Sequence, residues 1–171
     1  MSYLNQNQND THGAARSGAE REKMLREFFT QNGLTLVKKK GDCEKLGIPY
    51  VGTIRHDVPS EYAECGFSYF LTDGYCPELD AIVELKGGDK SGTTEEKVFF
   101  DLEKLRDGCY GNRTVLYITE GKKETDKCSK LFTKKLIKSQ EKGEIAENVY
   151  VLPYSQLTKD LLVEVASQHK N

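Results

Sequence analysis

The sequence predicts an α/β protein in which a single mixed β-sheet is flanked by helices on both faces. Three observations lead to this prediction. Helical stripes of apolar residues alternate along the chain with short strand-like runs. Two of these runs, residues 66–71 and 79–85, flank Thr72-Asp73-Gly74-Tyr75, in which Asp-Gly is a strong hairpin signal. Residues 114–119 form a continuous apolar run, which is typical of a strand buried within a sheet.

The N-terminal part of the chain contributes a tail, a helix and a strand. Residues 1–15 are polar and predict a disordered tail, which precedes a single domain over residues 16–171. A helix begins at Ser17, and its apolar stripe comprises Leu25, Phe28 and Phe29. A short strand is predicted over residues 34–38. Residues 39–63 are rich in Gly, Pro and Asp and predict an irregular segment that is long enough to hold a functional loop.

The C-terminal part alternates helices with strands. After the hairpin, Thr93 or Thr94 can cap a helix whose buried face we expect to contain Val98, Phe99, Leu102 and Leu105. Residues 124–142 predict a lysine-rich amphipathic helix, residues 148–152 a further strand and residues 155–168 a closing helix. The predicted order of elements is therefore α, β, a β-hairpin, and then α-β-α-β-α.

The composition limits the classes of function. Charged residues make up 30% of the chain, but the net charge is only −2, so any nucleic-acid surface must be local. The five cysteines are odd in number, widely spaced and without a Cys-x-x-Cys pair, which argues against a disulfide framework or a structural zinc site. No apolar run approaches membrane-spanning length, and none near the N-terminus resembles a secretory signal. We therefore expect a cytoplasmic protein without a membrane partner.

The chemistry is expected in the stretch Ala-Ile-Val-Glu-Leu-Lys, residues 81–86. Glu84 and Lys86 are two residues apart on a predicted strand, so their side chains leave the same face. A carboxylate and an ammonium group in so apolar a strand are costly unless they are paired or bound to a metal. The alternative interpretation is a solvent-facing salt bridge at the end of the strand.

A second carboxylate is needed for a metal site. A hairpin folded about residues 73–75 would place residues 64–66 opposite Glu84, and this geometry favours Glu64 as the second ligand. Asp73 and Asp80 remain alternative acidic ligands, and Asp57 could contribute if its loop folds back over the site.

Such a pair of carboxylates predicts a particular reaction chemistry. Two carboxylates at the same end of adjacent strands can hold Mg²⁺, which prefers oxygen ligands and which Mn²⁺ can replace. The metal would polarise a phosphodiester and help to ionise a water molecule. Lys86 could orient or deprotonate that water, or stabilise the charge that develops on the phosphate.

The order of strand, hairpin, Glu-x-Lys, helix and strand resembles the PD-(D/E)xK superfamily of restriction-endonuclease-like nucleases. The central match is the tripeptide Glu84-Leu85-Lys86. The segment Ser91-Gly92-Thr93-Thr94-Glu95-Glu96-Lys97 is similar to one that follows the catalytic strand in some type II restriction endonucleases. Gly18-Ala19-Glu20-Arg21 opens the first helix, where several members, including junction resolvases, carry an active-site glutamate. The resemblance covers roughly residues 17–121, and it departs from the family pattern because the chain has no Pro-Asp.

The resemblance implies a restriction-endonuclease-like α-β-β-β-α-β core and a Mg²⁺-dependent endonuclease that hydrolyses phosphodiesters of double-stranded DNA. A type II restriction endonuclease, acting as a homodimer on palindromic DNA, is the leading expectation. Its active site would comprise Glu64 and Glu84 as metal ligands, Lys86 beside the water and Glu20 in support. Candidate DNA contacts are Lys90, Lys97, the lysine-rich helix over residues 124–142 and the loop over residues 39–63.

Two alternatives remain open at this point. The small size and the Gly-Ala-Glu-Arg helix start also fit a structure-specific nuclease such as a Holliday-junction resolvase. The missing Pro-Asp leaves open a non-catalytic DNA-binding subunit that has kept the same fold.

Overall fold

The structure, a computed structural model of the chain, describes residues 18–47, 60–67, 72–87, 93–120 and 127–168. Within these ranges the protein has a mixed α/β fold, in which four strands form one sheet and six α-helices accompany it. The predicted α/β class is therefore confirmed. The predicted tail over residues 1–15 and the predicted helix start at Ser17 lie outside the described residues.

The helices and strands have the following bounds. The helices are α1 (Gly18–Gln31), α2 (Lys40–Leu46), α3 (Ser60–Glu64), α4 (Thr93–Arg106), α5 (Lys127–Glu141) and α6 (Lys159–Ser167). The strands are β1 (Gly74–Cys76), β2 (Ala81–Gly87), β3 (Thr114–Glu120) and β4 (Val149–Pro153). A short 3-10 turn over Tyr154–Gln156 separates β4 from α6, so the predicted closing helix is divided in two. Thr158 caps α6 by accepting the N–H of Leu161 at 3.1 Å.

The strands lie in the order β1-β2-β3-β4. β1 pairs with β2 in antiparallel orientation, whereas β2, β3 and β4 run parallel to one another. Parallel neighbours need a crossover connection, and α4 and α5 provide the two crossovers. The predicted strand over residues 34–38 is reduced to one bridge, in which Val37 and Tyr75 exchange backbone hydrogen bonds of 2.8 and 2.7 Å on the outer side of β1.

Alternate residues of the central strands enter two apolar clusters, one on each face of the sheet. Val83 and Leu116 pack on one face with side chains of α1 and α6. Ile82 and Tyr117 pack on the opposite face with side chains of α4 and α5. The side chains of Glu84 and Lys86 leave β2 on the same face as Ile82, so they point toward α4.

The hairpin differs from the prediction. Gly74 and Tyr75 lie within β1, and the turn is formed by residues 77–80, where Asp80 donates its N–H to the carbonyl of Pro77 at 3.2 Å. Pro77 has no N–H to give to a strand ladder, and Asp80 adopts the left-handed region with φ of 49°. The turn therefore lies five residues after the predicted turn over residues 72–75.

Two further predictions about the elements are wrong. Residues 39–63 are not irregular throughout, because they contain α2 and the greater part of α3. Gly66 and Phe67, which follow α3 after Cys65, are not in a strand, and residues 68–71 of the predicted strand lie outside the described residues.

The buried face of α4 also differs from the prediction. Val98, Leu102 and Leu105 are buried as expected, but the side chain of Phe99 is 50% exposed. Its predicted place is taken by two charged residues, Asp101 and Lys104, which are both buried. Because a helix repeats every 3.6 residues, Asp101 lies between Val98 and Leu105 on the inner face.

None of the helices in the described residues is long and apolar enough to cross a membrane.

Candidate active site

Two carboxylates face each other across β1 and β2. The register pairs Gly74 with Val83, so the preceding residue, Asp73, lies opposite Glu84. The N–H of Leu85 donates to Oδ2 of Asp73 at 2.7 Å, which anchors this carboxylate against β2. Opposite residues of an antiparallel pair project from the same face. The structure therefore brings Asp73, which was an alternative in the sequence-based prediction, to the side of Glu84.

The predicted placement of Glu64 opposite Glu84 is wrong. Glu64 is the last residue of α3, and its side chain is exposed. The prediction failed because it took Asp73 and Gly74 for the turn, whereas the turn lies at residues 77–80. Asp80 lies in that turn and accepts a hydrogen bond of 2.7 Å from the hydroxyl of Tyr75. Asp57 lies outside the described residues.

Glu84 is almost completely enclosed, with 4% of the residue exposed. The hydroxyl of Tyr110 donates to its Oε1 at 3.0 Å. Burial raises the pKa of Glu84 to about 8, and the negative charge of Asp73 adds to this rise. The ammonium groups of Lys86 and Lys104 oppose it. In the absence of a cation, the Glu84 carboxyl is therefore largely protonated at neutral pH.

Lys86 pairs with a carboxylate of α4 that was not predicted. Its Nζ lies 2.8 Å from Oδ2 of Asp101 and 6.0 Å from the centre of the Tyr117 ring. Burial alone would lower the pKa of Lys86, but the carboxylates of Asp101 and Glu84 outweigh burial and raise it. The side chain is consequently held as an ammonium ion.

Lys104 and Tyr110 connect this ion pair to Glu84. Nζ of Lys104 lies 3.0 Å from Oδ1 of Asp101 and donates to the hydroxyl of Tyr110 at 3.2 Å. The hydroxyl of Tyr117 also lies within hydrogen-bonding distance of Tyr110, at 3.3 Å. Burial raises the pKa of both tyrosines well above the ordinary value, so both hydroxyls keep their protons. Sequence reasoning missed Asp101 and Lys104, although the spacing of Asp101 from Val98 places it on the inner face of the helix.

The charges of this cluster favour a cation. Three carboxyl groups, those of Asp73, Glu84 and Asp101, accompany two ammonium groups, those of Lys86 and Lys104. Loss of the Glu84 proton would leave three negative and two positive charges, with a sum of −1. A divalent cation between Asp73 and Glu84 would relieve the repulsion that raises the pKa of Glu84.

Asp73 and Glu84 are two carboxylates that could hold a divalent cation. Within the described ranges, no group of three or more histidine, cysteine, aspartate or glutamate side chains is placed to hold one metal ion. Mg²⁺ is commonly bound through one or two carboxylates while it keeps several waters or substrate phosphates. The carboxylate oxygens of Asp73 and Glu84 match that pattern.

The remaining predicted residues lie around this end of the sheet or outside the described residues. Glu20 is exposed in the first turn of α1. Its neighbour Arg21 pairs with Glu120 at 2.9 Å, and Glu120 is in register with Gly87, so the start of α1 reaches the end of β2 that carries Lys86. Lys97 is exposed on α4, and Lys90 is not among the described residues.

No protein-family model matches this chain, and neither a curated protein nor a solved structure matches it.

Proposed function

We propose that this protein is a metal-dependent endonuclease that hydrolyses phosphodiester bonds of double-stranded DNA. The observation that carries the proposal is that Asp73, directly before β1, faces Glu84 on β2, with Lys86 two residues further along the same face. Asp73 takes the part that the sequence-based prediction gave to Glu64. It stands at the start of the β1–β2 hairpin, with Thr72 where the PD-(D/E)xK pattern has proline.

The order of elements supports the same proposal. If α2 and α3 are treated as insertions between Val37 and β1, and the single bridge at Val37 as a remnant of a strand, the elements from α1 to β3 have the order α-β-β-β-α-β. This is the order of the superfamily that the sequence resembles. The segment of residues 91–97 resembles type II restriction endonucleases in particular, and we therefore place the protein in that class first.

Each of these side chains has a separate role in phosphodiester hydrolysis. Asp73 and Glu84 would hold Mg²⁺, which supplies Lewis-acid polarisation of the phosphate and acidifies a water molecule. Lys86, kept as an ammonium ion by Asp101, acts by stabilising negative charge on the phosphate and not by removing a proton. Glu20, at the same end of the sheet, supports the site.

DNA would be held by local positive charge, because the chain as a whole has a net charge of −2. Lys97 is exposed on α4. Among the side chains of α5 that the structure describes, the exposed lysines are Lys130, Lys134, Lys135 and Lys138. Such residues contact phosphates and position the duplex without reading its sequence.

The test is cleavage of plasmid DNA in Mg²⁺ by the wild type and by Asp73→Asn, Glu84→Gln and Lys86→Met. We expect each substitution to lower the cleavage rate by about 100-fold or more, because each removes charge at the reacting phosphate. Glu64→Gln serves as the comparison, and we expect it to cut like the wild type. Discrete bands would support a restriction endonuclease, and a smear would count against one.

Other outcomes would point elsewhere. Loss of cleavage in Glu64→Gln but not in Asp73→Asn would overturn the assignment of Asp73. Preference for four-way junctions over plain duplex would favour a junction resolvase. Binding of DNA without cleavage, and without affinity for Mg²⁺ or Mn²⁺ at millimolar concentration, would favour a non-catalytic DNA-binding subunit.

A further inference from the structure

A chain of buried polar contacts leaves β2 at Lys86 and returns to it at Glu84. Oδ2 of Asp101 lies 2.8 Å from the ammonium of Lys86, and its Oδ1 lies 3.0 Å from the ammonium of Lys104. Lys104 then donates to Tyr110, and Tyr110 donates to Glu84 at 3.0 Å. Both ends of the Glu-x-Lys tripeptide are therefore tied to α4 and to the residues that follow it.

We propose that Asp101 is the positioning residue of the site, and that it holds the Lys86 ammonium at the place where a scissile phosphate would bind. This inference rests on the proposed nuclease function. It adds a residue of α4 to the predicted set of active-site residues.

Among the acidic side chains that the structure describes on α4, only that of Asp101 is placed to position Lys86. Only 3% of Asp101 is exposed, so its carboxylate cannot turn to solvent. Lys104 occupies one carboxylate oxygen, which leaves the other directed at Lys86. By contrast, Glu103 is exposed and pairs with Arg106 of the same helix.

A flexible lysine side chain needs such an anchor. The ammonium group sits at the end of four rotatable carbons, and ordering these costs side-chain entropy. The Tyr117 ring below Lys86 offers only a distant contact, at 6.0 Å from its centre. The short ion pair with Asp101 therefore defines where the charge of Lys86 lies before DNA arrives.

The test is a double-mutant cycle on the cleavage rate. Asp101→Asn keeps the shape of the side chain but removes its charge, and we expect it to lower the maximal rate about 10- to 100-fold with little change in KM for DNA. If Asp101 acts through Lys86, the same substitution should cause no further loss in a Lys86→Met protein. Glu103→Gln, which makes the same charge change on the same helix, should stay within about 2-fold of the wild type.

A second readout does not depend on cleavage. The ¹H–¹⁵N signal of the Lys86 ammonium, assigned by its absence in Lys86→Met, should be visible in the wild type and in Glu103→Gln. We expect it to vanish or shift in Asp101→Asn. If that variant does not fold, Asp101→Asn combined with Lys104→Met removes the uncompensated buried charge and should give the same spectral result.

The results separate this inference from the proposed function. Additive rate losses in the double variant, or an unchanged Lys86 signal in Asp101→Asn, would overturn the positioning role of Asp101. A wild type that cuts no DNA but whose Lys86 signal depends on Asp101 would overturn the nuclease function and leave the positioning contact established.

Discussion

Glu84 is a carboxyl group that the fold keeps from ionising easily. Its neighbours within the described residues are Asp73, which repels a negative charge, Lys86 and Lys104, which attract one, and Tyr110, which donates a hydrogen bond. Burial and Asp73 prevail, and the pKa of Glu84 rises to about 8. In the cation-free protein, a proton therefore neutralises the charge of the Glu84 carboxylate, which a bound metal ion would otherwise offset.

This raised pKa predicts how stability depends on pH. The pKa of about 8 in the folded state lies above the ordinary value of 4.5, so the folded protein binds more protons than the unfolded chain between these values. Without divalent cations, the contribution of Glu84 to the free energy of unfolding should therefore be greatest at low pH. It should fall by up to roughly 1.4 kcal/mol per pH unit as pH rises through the window.

Chemical denaturation of the wild type and of Glu84→Gln, at several pH values across this window and with a chelator present, measures the effect. Glutamine has no proton to lose, so the midpoint for the variant should vary less with pH than that of the wild type. Glu103→Gln is the control, and it should keep the wild-type slope. Equal slopes in Glu84→Gln and the wild type would contradict the raised pKa.

At the scale of elements, the hairpin of β1 and β2 depends on a close approach to Leu36. A Cβ atom on Gly74 would lie 2.5 Å from Cδ1 and 2.8 Å from Cγ of Leu36, which is itself buried. Gly74 is thus required by packing, and not by the turn that Asp-Gly suggested. Glu78, in the turn itself, accepts hydrogen bonds from the N–H and the hydroxyl of Thr35 and fastens the hairpin to the neighbouring segment.

Gly74→Ala should therefore destabilise the protein, by about 1–3 kcal/mol, because the added methyl group overpacks the contact with Leu36. Gly41→Ala is the matched control: nothing lies within 4 Å of its added Cβ, and it falls within α2, where alanine is the better helix former. Urea denaturation of both variants measures the difference. A Gly74→Ala protein as stable as Gly41→Ala would show that β1 accommodates the methyl group.

The hairpin and α4 also show which features of the fold could be predicted from the sequence and which could not. Periodicity located α1, β2, α4, β3, α5 and β4, because each has a clear apolar pattern. The turn was misplaced because Asp-Gly has a local preference that the contact between Gly74 and Leu36, more than thirty residues apart, overrides. That error moved the partner of Glu84 from Asp73 to Glu64.

Some residues of the candidate site could likewise be predicted from the sequence, and others could not. Glu84 and Lys86 could be predicted from alternation along a single strand. Asp101 could not be assigned as the partner of Lys86, because their contact depends on how α4 packs across the sheet. A charged residue at inner-face spacing on an amphipathic helix was the available signal, and the exposed side chain of Phe99 had been counted in its place.

At the scale of the whole molecule, the two faces of the sheet differ: one packs against apolar side chains, and the other carries the buried charged residues. α1 and α6 cover one face with apolar contacts, while α4 and α5 cover the face that carries the buried charges. Glu84 and Lys86 lie near the carboxyl end of β2, beside the parallel strand β3. Crevices outside the carboxyl ends of parallel strands are common ligand sites in α/β proteins.

A cation bound at this position should stabilise the whole fold. At a Mg²⁺ concentration about ten times its Kd, binding to the folded state alone adds about 1.4 kcal/mol, or a rise in Tm of about 3–6 °C. Thermal unfolding with and without Mg²⁺, at matched ionic strength, measures this shift. We expect Asp73→Asn to lose it and Glu64→Gln to keep it, and the opposite result would exclude Asp73 as a ligand.

The short turn of residues 77–80 has a consequence for the order of folding. Asp73 and Glu84 are only a hairpin apart in sequence, so their contact is local and can form early. Lys86 meets Asp101 only when α4 packs back across the sheet on its way to the parallel strand β3. We therefore expect a nascent chain to assemble its acidic pair first and to close the cationic side of the site last.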